Sequence, residues 1–90
     1  MTSETSLKKT IKEYLTLKKY FWWYSLQGIG AYKGVPDIFV LHKGILYGIE
    51  CKSKRGELSE HQQHFQLDMK NNGGVPITAR TLEDVMMFLP

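Results

Sequence analysis

The sequence has little cysteine and no long apolar run. Cys51 is the single cysteine among 90 residues, so an intramolecular disulfide and a cysteine-based zinc site are excluded, and three scattered histidines do not supply the missing zinc ligands. No stretch approaches the roughly 18 consecutive apolar residues that a transmembrane helix needs. The N-terminal residues also lack the apolar core of a secretory signal. These absences lead us to expect a cytoplasmic protein with no membrane partner.

The chain is also short, which favours one domain over residues 1–90. A domain of this size buries only about 60–65 % of the surface of its unfolded chain, so association into a homodimer would help to stabilise it. The formal net charge of +3 and the pI of about 9.0 suit a polyanionic partner such as nucleic acid. The glycines between positions 27 and 34 do not form a phosphate-binding loop, because no helix follows them, and we expect no small organic cofactor.

Hydrophobic periodicity and turn residues predict an α/β domain with the order αβββαβα and a mixed sheet flanked by helices. The predicted elements are a helix over 1–19, strands over 21–26, 38–41 and 45–49, a helix from 58 to about 72, a strand over 75–79 and a last helix after position 81. Apolar residues at helical spacing predict the core faces of the first and last helices. They are Leu7, Ile11, Tyr14 and Leu15 in the first, and Leu82, Val85, Met86 and Leu89 in the last.

Two short apolar runs on either side of Lys43 and Gly44 predict a β-hairpin. With a two-residue loop, position 42 lies opposite 45, and the pairing continues until Asp37 faces Glu50 with Cβ atoms roughly 5 Å apart. A three-residue loop would instead place Asp37 opposite Ile49 and on the wrong face, unless a bulge restored the phase. The first run, 38–41, is continuously apolar, which predicts a central strand that is buried on both faces.

Two facing carboxylates destabilise a hairpin unless something neutralises them. Mg²⁺ and related hard cations bind carboxylate oxygens and keep several waters, so a divalent cation is the natural partner of Asp37 and Glu50. Strand side chains alternate between faces, so Lys52 shares the face of Glu50 and can act on a bound water or on developing charge. The Cys51 side chain points to the opposite face and should lie in the core.

At these positions the chain resembles a known family. Pro36-Asp37 followed by Glu50-x-Lys52 is the signature of the PD-(D/E)xK nucleases. The wider pattern is Gly34-x-Pro36-Asp37, Glu50-x-Lys52-Ser53 and Gly56-x-Leu58-Ser59-x-x-Gln62, and it resembles the virus-type replication-repair nuclease domain, VRR-NUC. The resemblance covers nearly the whole chain. It implies a restriction-endonuclease-like core.

The resemblance also implies the chemistry of the site. Asp37, Glu50 and the backbone carbonyl of Cys51 would bind Mg²⁺ or Mn²⁺, and Glu4 would reach the same metal, with Glu13 as the less favoured candidate. Lys52 would orient or deprotonate a water that attacks the phosphodiester bond. Gln62 would support Lys52, although the sequence also predicts an S-x-x-Q capping box between Ser59 and Gln62, and the two roles compete for one side chain. We favour the role in the site.

Basic and aromatic residues supply candidate contacts to DNA. They are Lys8, Lys12, Tyr32, Lys33, Lys54 and Arg55. Consecutive aromatic residues at 21–24 place large rings on both faces of one strand, so one face lies in the core and the other predicts a partner. That partner is either a dimer mate or a stacked nucleobase.

We therefore expect a divalent-metal-dependent DNA endonuclease. The resemblance implies action on branched DNA as a homodimer, like a Holliday-junction resolvase, and a phage or prophage origin. A nickase or flap nuclease without junction preference is the alternative within the same class. A non-catalytic nucleic-acid-binding module and a structural partner subunit are the alternatives from other classes.

Overall fold

The computed structural model describes residues 3–26 and 32–90. Residues 27–31, which include two of the three glycines between positions 27 and 34, lie outside the described residues. The elements in chain order are α1 (Glu4–Leu17), β1 (Phe21–Tyr24), β2 (Ile38–His42), β3 (Ile45–Cys51), α2 (Glu60–Asn71), β4 (Val75–Ala79) and α3 (Leu82–Met86). This order agrees with the predicted αβββαβα arrangement. Within the described ranges, no helix is long and apolar enough to cross a membrane.

The strands form one mixed sheet in the order β1-β2-β3-β4. The first three strands are antiparallel to their neighbours, and β4 runs parallel to β3. A parallel neighbour cannot be reached through a tight turn, so α2 makes the crossover between β3 and β4. The prediction of a mixed sheet flanked by helices is confirmed.

The hairpin has the predicted register. His42 pairs with Ile45 and Ile38 pairs with Ile49, so the loop consists of two residues. Those residues, Lys43 and Gly44, have φ values of 52° and 80°. Two-residue hairpin loops prefer positive φ at both positions, because this matches the twist of the strands. The three-residue alternative is excluded. Asp37 immediately precedes the last paired residue of β2, Ile38, and therefore lies next to Glu50, which follows Ile49 on β3.

One face of the sheet is closed by α1 and α3. The buried apolar side chains of the two helices and of the C-terminal end pack on those of β2, β3 and β4. They are Leu7, Ile11, Leu15, Val85 and Leu89 against Ile38, Val40, Ile49, Cys51, Ile77 and Ala79. The hydroxyl of Tyr14 donates to the backbone oxygen of Leu89 at 2.8 Å, which ties α1 to the end of the chain. The predicted stripe of α1 is confirmed.

The other face is only partly covered. The helix on this face, α2, has no buried residue and lies nearest to β4. Large apolar side chains of β1, β2 and β3 therefore remain exposed, among them Phe21, Trp23, Leu41 and Leu46. The prediction that β2 is buried on both faces is wrong, because Leu41 is 40 % exposed on this side. We call this surface the open face and the opposite one the closed face.

Candidate active site

The segment that carries Asp37 is fixed on both sides by backbone contacts. Gly34 has a φ of 79°, and a Cβ atom at this position would collide with the backbone of His61 at the start of α2. Pro36 follows, and its carbonyl accepts a hydrogen bond from the hydroxyl of Ser25. The backbone N–H of Ser25 also donates to the carbonyl of Asp37 at 3.1 Å. Glycine is therefore required at the first position of the Gly-x-Pro-Asp motif, because only glycine allows this approach to α2.

Asp37 and Glu50 lie together at the end of the hairpin. One carboxylate oxygen of Asp37 (Oδ2) accepts a hydrogen bond from the backbone N–H of Cys51 at 2.8 Å. This bond holds the carboxylate beside β3, next to Glu50. Glu50 is only 5 % exposed and is the one charged residue among the buried side chains of the described chain. The structure thus brings together the two acids that the hairpin register predicted.

This environment raises the pKa of the Glu50 carboxyl group to about 8. Burial is the largest cause, followed by a hydrogen bond with Asp37 and by the charge of Asp37, while Lys52 and Lys8 act in the opposite direction. Near neutral pH, Glu50 therefore keeps its proton in the absence of a cation and donates it toward the Asp37 carboxylate. Glu50 is then the hydrogen-bond donor and Asp37 the acceptor.

Lys8 from α1 also takes part in the site. Its ammonium nitrogen lies 3.4 Å from the other carboxylate oxygen of Asp37 (Oδ1). Lys8 was predicted to bind DNA, and the structure instead pairs it with the acid cluster. No local sequence pattern predicts this contact, because it depends on how α1 packs against the sheet.

Glu4 lies one helical turn before Lys8 and is exposed. Its charge contributes only the smallest of the named effects on the Cys51 thiol. Across residues 3–26 and 32–90, no three side chains among His, Cys, Asp and Glu come together as a metal-holding group. Glu4 and Glu13 therefore form no such group with Asp37 and Glu50 here, and their role as metal ligands stays a prediction.

Cys51 lies between Glu50 and Lys52, and its side chain points to the opposite face of the sheet. Its side chain is fully buried in the closed face, as predicted, and burial raises the pKa of its thiol to about 12. A thiol of this kind stays protonated and unreactive. The predicted contribution of Cys51 is its backbone carbonyl, and this role stays a prediction.

Lys52 continues the pairing of β3 with the parallel strand. Its backbone N–H donates to the carbonyl of Ala79 at 2.9 Å. The side chain is half-buried, and its charge is close enough to lower the pKa of Glu50. The lysine therefore lies on the same side of the sheet as the buried acid, in the position that the alternation of the strand predicted.

Gln62 forms the capping box of α2. Its side-chain oxygen accepts from the backbone N–H of Ser59 at 2.9 Å, and the Ser59 hydroxyl accepts from the backbone N–H of Gln62 at 3.2 Å. Of the two competing roles, the structure shows the helix cap and not the favoured role of Gln62 in the site. Support of Lys52 by Gln62 stays a prediction.

Arg80 was missed by the sequence analysis. Its guanidinium nitrogen Nη1 donates to the carbonyls of Ser53 and Gly56 at 2.7 and 2.6 Å, and to that of Lys54 at 3.4 Å. The residue follows β4, whose end lies beside the end of β3 because the two strands are parallel. The available signal was an arginine directly after the strand that follows the predicted crossover helix. Its effect is to order the loop after Lys52.

The remaining predicted DNA contacts lie at the surface. Lys33, Lys54 and Arg55 are exposed, and Lys12 is half-buried on α1. Tyr32 contacts α2, since its hydroxyl donates to the Asp68 carboxylate at 3.3 Å. Nothing in the structure tests whether these side chains bind DNA.

The chain matches no known family model, and no curated protein is similar enough to count as a relative. The functional interpretation therefore depends on the residues of the site. The carboxylate oxygens of Asp37 and Glu50 are of the ligand type that hard divalent cations prefer.

Proposed function

We propose that the protein is a divalent-metal-dependent nuclease that hydrolyses phosphodiester bonds in DNA. The observation that carries this proposal is the juxtaposition of Asp37 and Glu50 at the end of the hairpin, with Lys52 on the same side. A buried carboxyl group with a raised pKa, such as Glu50, is costly for a small domain, and such groups concentrate at functional sites. The motif resemblance to VRR-NUC domains, with a restriction-endonuclease-like core, supports the same function.

Asp37, Glu50 and the Cys51 carbonyl would hold Mg²⁺ or Mn²⁺. When bound, such a cation supplies charge neutralisation at the scissile phosphate and a water of lowered pKa. The protein's own contribution begins with Glu50, which must lose its proton to act as a ligand. Asp37 is already oriented by the N–H of Cys51, so little side-chain entropy is lost when the site is used.

Two lysines have different tasks in this proposal. Lys52, on the side of Glu50, orients the attacking water or stabilises the charge that develops on the phosphate. Lys8 balances Asp37 in the structure as it stands. Once the acids have another counterion, its ammonium group is released for contact with a phosphate oxygen, which recovers the predicted DNA contact by a different route.

The substrate is proposed to be branched DNA, cut by a homodimer like a Holliday-junction resolvase, in the cytoplasm of a phage-infected or lysogenic bacterium. The loop with Lys54 and Arg55 follows the site directly and is held in place by Arg80. These cations recognise backbone shape rather than base sequence. The exposed Phe21 and Trp23 support a dimer, because large exposed aromatic side chains often mark interfaces.

A second candidate is a non-catalytic nucleic-acid-binding module. The observation that favours it is the balance of the acid pair without a metal: Lys8 neutralises Asp37, and the raised pKa of Glu50 keeps that carboxyl protonated. A nickase or flap nuclease without junction preference is the alternative within the enzyme class.

One experiment separates these candidates. Labelled four-way junction and matched linear duplex are incubated with the protein in Mg²⁺, in Mn²⁺ and in EDTA. Wild type is compared with Asp37→Asn and Lys52→Ala, and with Glu57→Gln as a control for an exposed acid outside the site.

Metal-dependent symmetric cuts in the junction, lost in the two site variants and retained in Glu57→Gln, are the expected result. Equal cutting of the linear duplex would keep the nuclease and remove the resolvase. Binding without cleavage in any metal, equal in wild type and variants, would favour the binding module. The mass of the protein in solution tests the dimer.

A further inference from the structure

The open face contains a cavity that the proposed reaction does not use. Its volume is about 400 Å³, which falls in the usual range for small-molecule sites. It lies between α2 and the hairpin, and its apolar walls are formed by Tyr32, Phe39, Leu46, Phe65 and Met69. Since the cavity is preformed among rigid elements, a ligand could enter it without rearrangement of the sheet.

The walls are largely aromatic. The rings of Phe39 and Phe65 have centroids 6.3 Å apart, and Tyr32 meets Phe65 at 5.3 Å with an angle of 76° between the rings. Trp23 extends the series from Phe39 at 5.8 Å along the exposed sheet surface. Rings inclined to one another in this way offer stacking surfaces for a planar ligand, and aromatic side chains stack on nucleobases whatever the base.

The polar side of the cavity includes two side chains that can accept hydrogen bonds, Asp68 and Asn72. Asp68 accepts from the Tyr32 hydroxyl through Oδ2, and among the described residues its Oδ1 has no hydrogen-bond partner. Asn72 donates its amide N–H to the backbone oxygen of Asp68 at 2.7 Å, which leaves its own side-chain oxygen as an acceptor. A purely apolar occupant would leave these groups unused. A planar ligand with amino groups would satisfy them.

The cavity is aligned with the acid pair along β3. Leu46 lines it, and Glu50 lies four residues further along the same strand on the same face. At about 3.4 Å per residue, the two are roughly 13–14 Å apart. Gly48 lies between them, where a Cβ would collide with Pro36 and Met69, so these side chains separate the cavity from the acids. At a rise of about 3.4 Å per nucleotide, the separation corresponds to about four stacked nucleotides, and to fewer in a stretched strand.

Basic residues border the cavity. Lys33 and Lys43 are exposed and adjoin the lining residues Tyr32 and Gly44. They can contact the phosphates of a strand whose base enters the cavity, which a neutral ligand would not require. The chain as a whole carries a net charge of +3, which suits the same partner.

We propose that this cavity binds an unpaired nucleobase with an exocyclic amino group, from the DNA strand whose phosphate lies at Asp37 and Glu50. The base stacks on Phe65 and its neighbours and donates to Asp68. Cytosine, adenine and guanine carry such amino groups, whereas thymine offers carbonyl oxygens in their place, and a carboxylate repels those oxygens. This inference rests on the proposed nuclease, because it assigns the cavity to the same strand.

The test measures binding of short labelled single strands of oligo-dC, oligo-dA and oligo-dT in EDTA, so that cleavage cannot occur. Phe65→Leu keeps an apolar side chain and removes the ring. Its matched control is Phe88→Leu, an exposed phenylalanine after α3. Asp68→Asn replaces the acceptor by an amide, and Glu60→Gln is its control at an exposed acid on the same helix. Circular dichroism verifies that each variant is folded.

We expect wild type to prefer oligo-dC and oligo-dA to oligo-dT. Phe65→Leu should weaken binding of all three strands by about 5-fold to 100-fold, the range measured for loss of one stacked base. Asp68→Asn should narrow or reverse the preference, because the amide can donate to a thymine oxygen. Phe88→Leu and Glu60→Gln should bind like wild type. If Phe65→Leu does not fold, the change of base preference in Asp68→Asn still tests whether the cavity binds a base.

Unchanged binding in Phe65→Leu, or an unchanged base preference in Asp68→Asn, would overturn the proposal. It would also be overturned if Phe65→Leu dissociated a dimer while strand binding stayed intact, since a second copy would then occupy the cavity. Metal-dependent cleavage with no effect of either variant on binding would reject the base site and keep the nuclease. Base-selective binding without cleavage in any metal would support the base site and reject only the nuclease.

Discussion

The two faces of the sheet differ in how completely they are covered. On the closed face, α1 and α3 enclose side chains such as Ile11, Ile49 and Val85, which have no exposed surface. On the open face, α2 buries none of its own residues and leaves aromatic rings and a cavity at the surface. The difference indicates that one face supplies the stability of the domain and the other is available for binding and chemistry.

Neighbouring residues of β3 show the same division at the level of single side chains. Cys51 points into the closed face, where burial raises the pKa of its thiol to about 12 and keeps it inert. Glu50 points the other way, where burial and Asp37 raise the pKa of its carboxyl group only to about 8. The second value lies within reach of physiological pH, so only the open-face residue can exchange its proton for a cation.

The largest expected effect compares two positions of β3 that face opposite ways. Ile49→Ala on the closed face should lower the free energy of unfolding by about 2–5 kcal/mol, because it leaves a cavity in a close-packed core. Leu46→Ala on the open face should cost only about 1 kcal/mol, since Leu46 is already 36 % exposed. Urea unfolding measures both. Equal losses at the two positions would contradict the division into a stabilising and a functional face.

The next effect is the pH dependence caused by Glu50. Its pKa rises from 4.5 to about 8 on folding, so between these values the folded state binds more protons than the unfolded state. The free energy of unfolding should therefore fall with rising pH across this window, by at most about 1.4 kcal/mol per pH unit. Above the window the contribution levels off.

Glu50→Gln imitates the protonated acid and should remove this slope, so that the variant unfolds at a higher temperature than wild type at pH values near 8. Thermal unfolding across the window measures the effect, and Glu57→Gln serves as the exposed control. A slope of the same size in Glu50→Gln and wild type would show that Glu50 is not the group that titrates.

The smallest effect concerns the cap of α2, the helix of the open face. Gln62→Ala should lower stability by about 1 kcal/mol, because it removes one half of the capping box. Gln62→Glu should restore the stability, since glutamate accepts the same backbone hydrogen bond. Cleavage assays on both variants then separate the two roles. Recovered stability without recovered cleavage would indicate that the amide of Gln62 also acts in the site.

The sequence predicted the parts of the fold that depend on local pattern. The Lys43-Gly44 loop specified the hairpin register, and the spacing of Leu7, Ile11 and Leu15 identified the buried stripe of α1. From these, the meeting of Asp37 and Glu50 followed directly. Such features depend only on residues close in sequence, or on a register that a short turn determines.

The errors arose where tertiary packing decides. Met86 was expected in the core and is 40 % exposed, because α3 ends at that residue and packs on the core through Val85 and, in part, Leu82. The exposure of Leu41 depends on where α2 crosses the sheet, and the ion pair between Lys8 and Asp37 depends on the position of α1. Hydrophobic periodicity cannot predict the placement of α1 or α2, because it identifies the buried face of a helix but not the element against which that face packs.

The burial of Cys51 also has a kinetic consequence. A thiol with no exposed surface and a pKa of about 12 reacts with an alkylating reagent only when the sheet opens around it. The labelling rate of the native protein therefore measures how often the sheet opens at the residue next to Glu50. A ligand that binds the folded site lowers the population of the open form, so the rate of thiol labelling falls. Cys51 can thus report whether a ligand occupies the site, because it is adjacent to Glu50 in the chain.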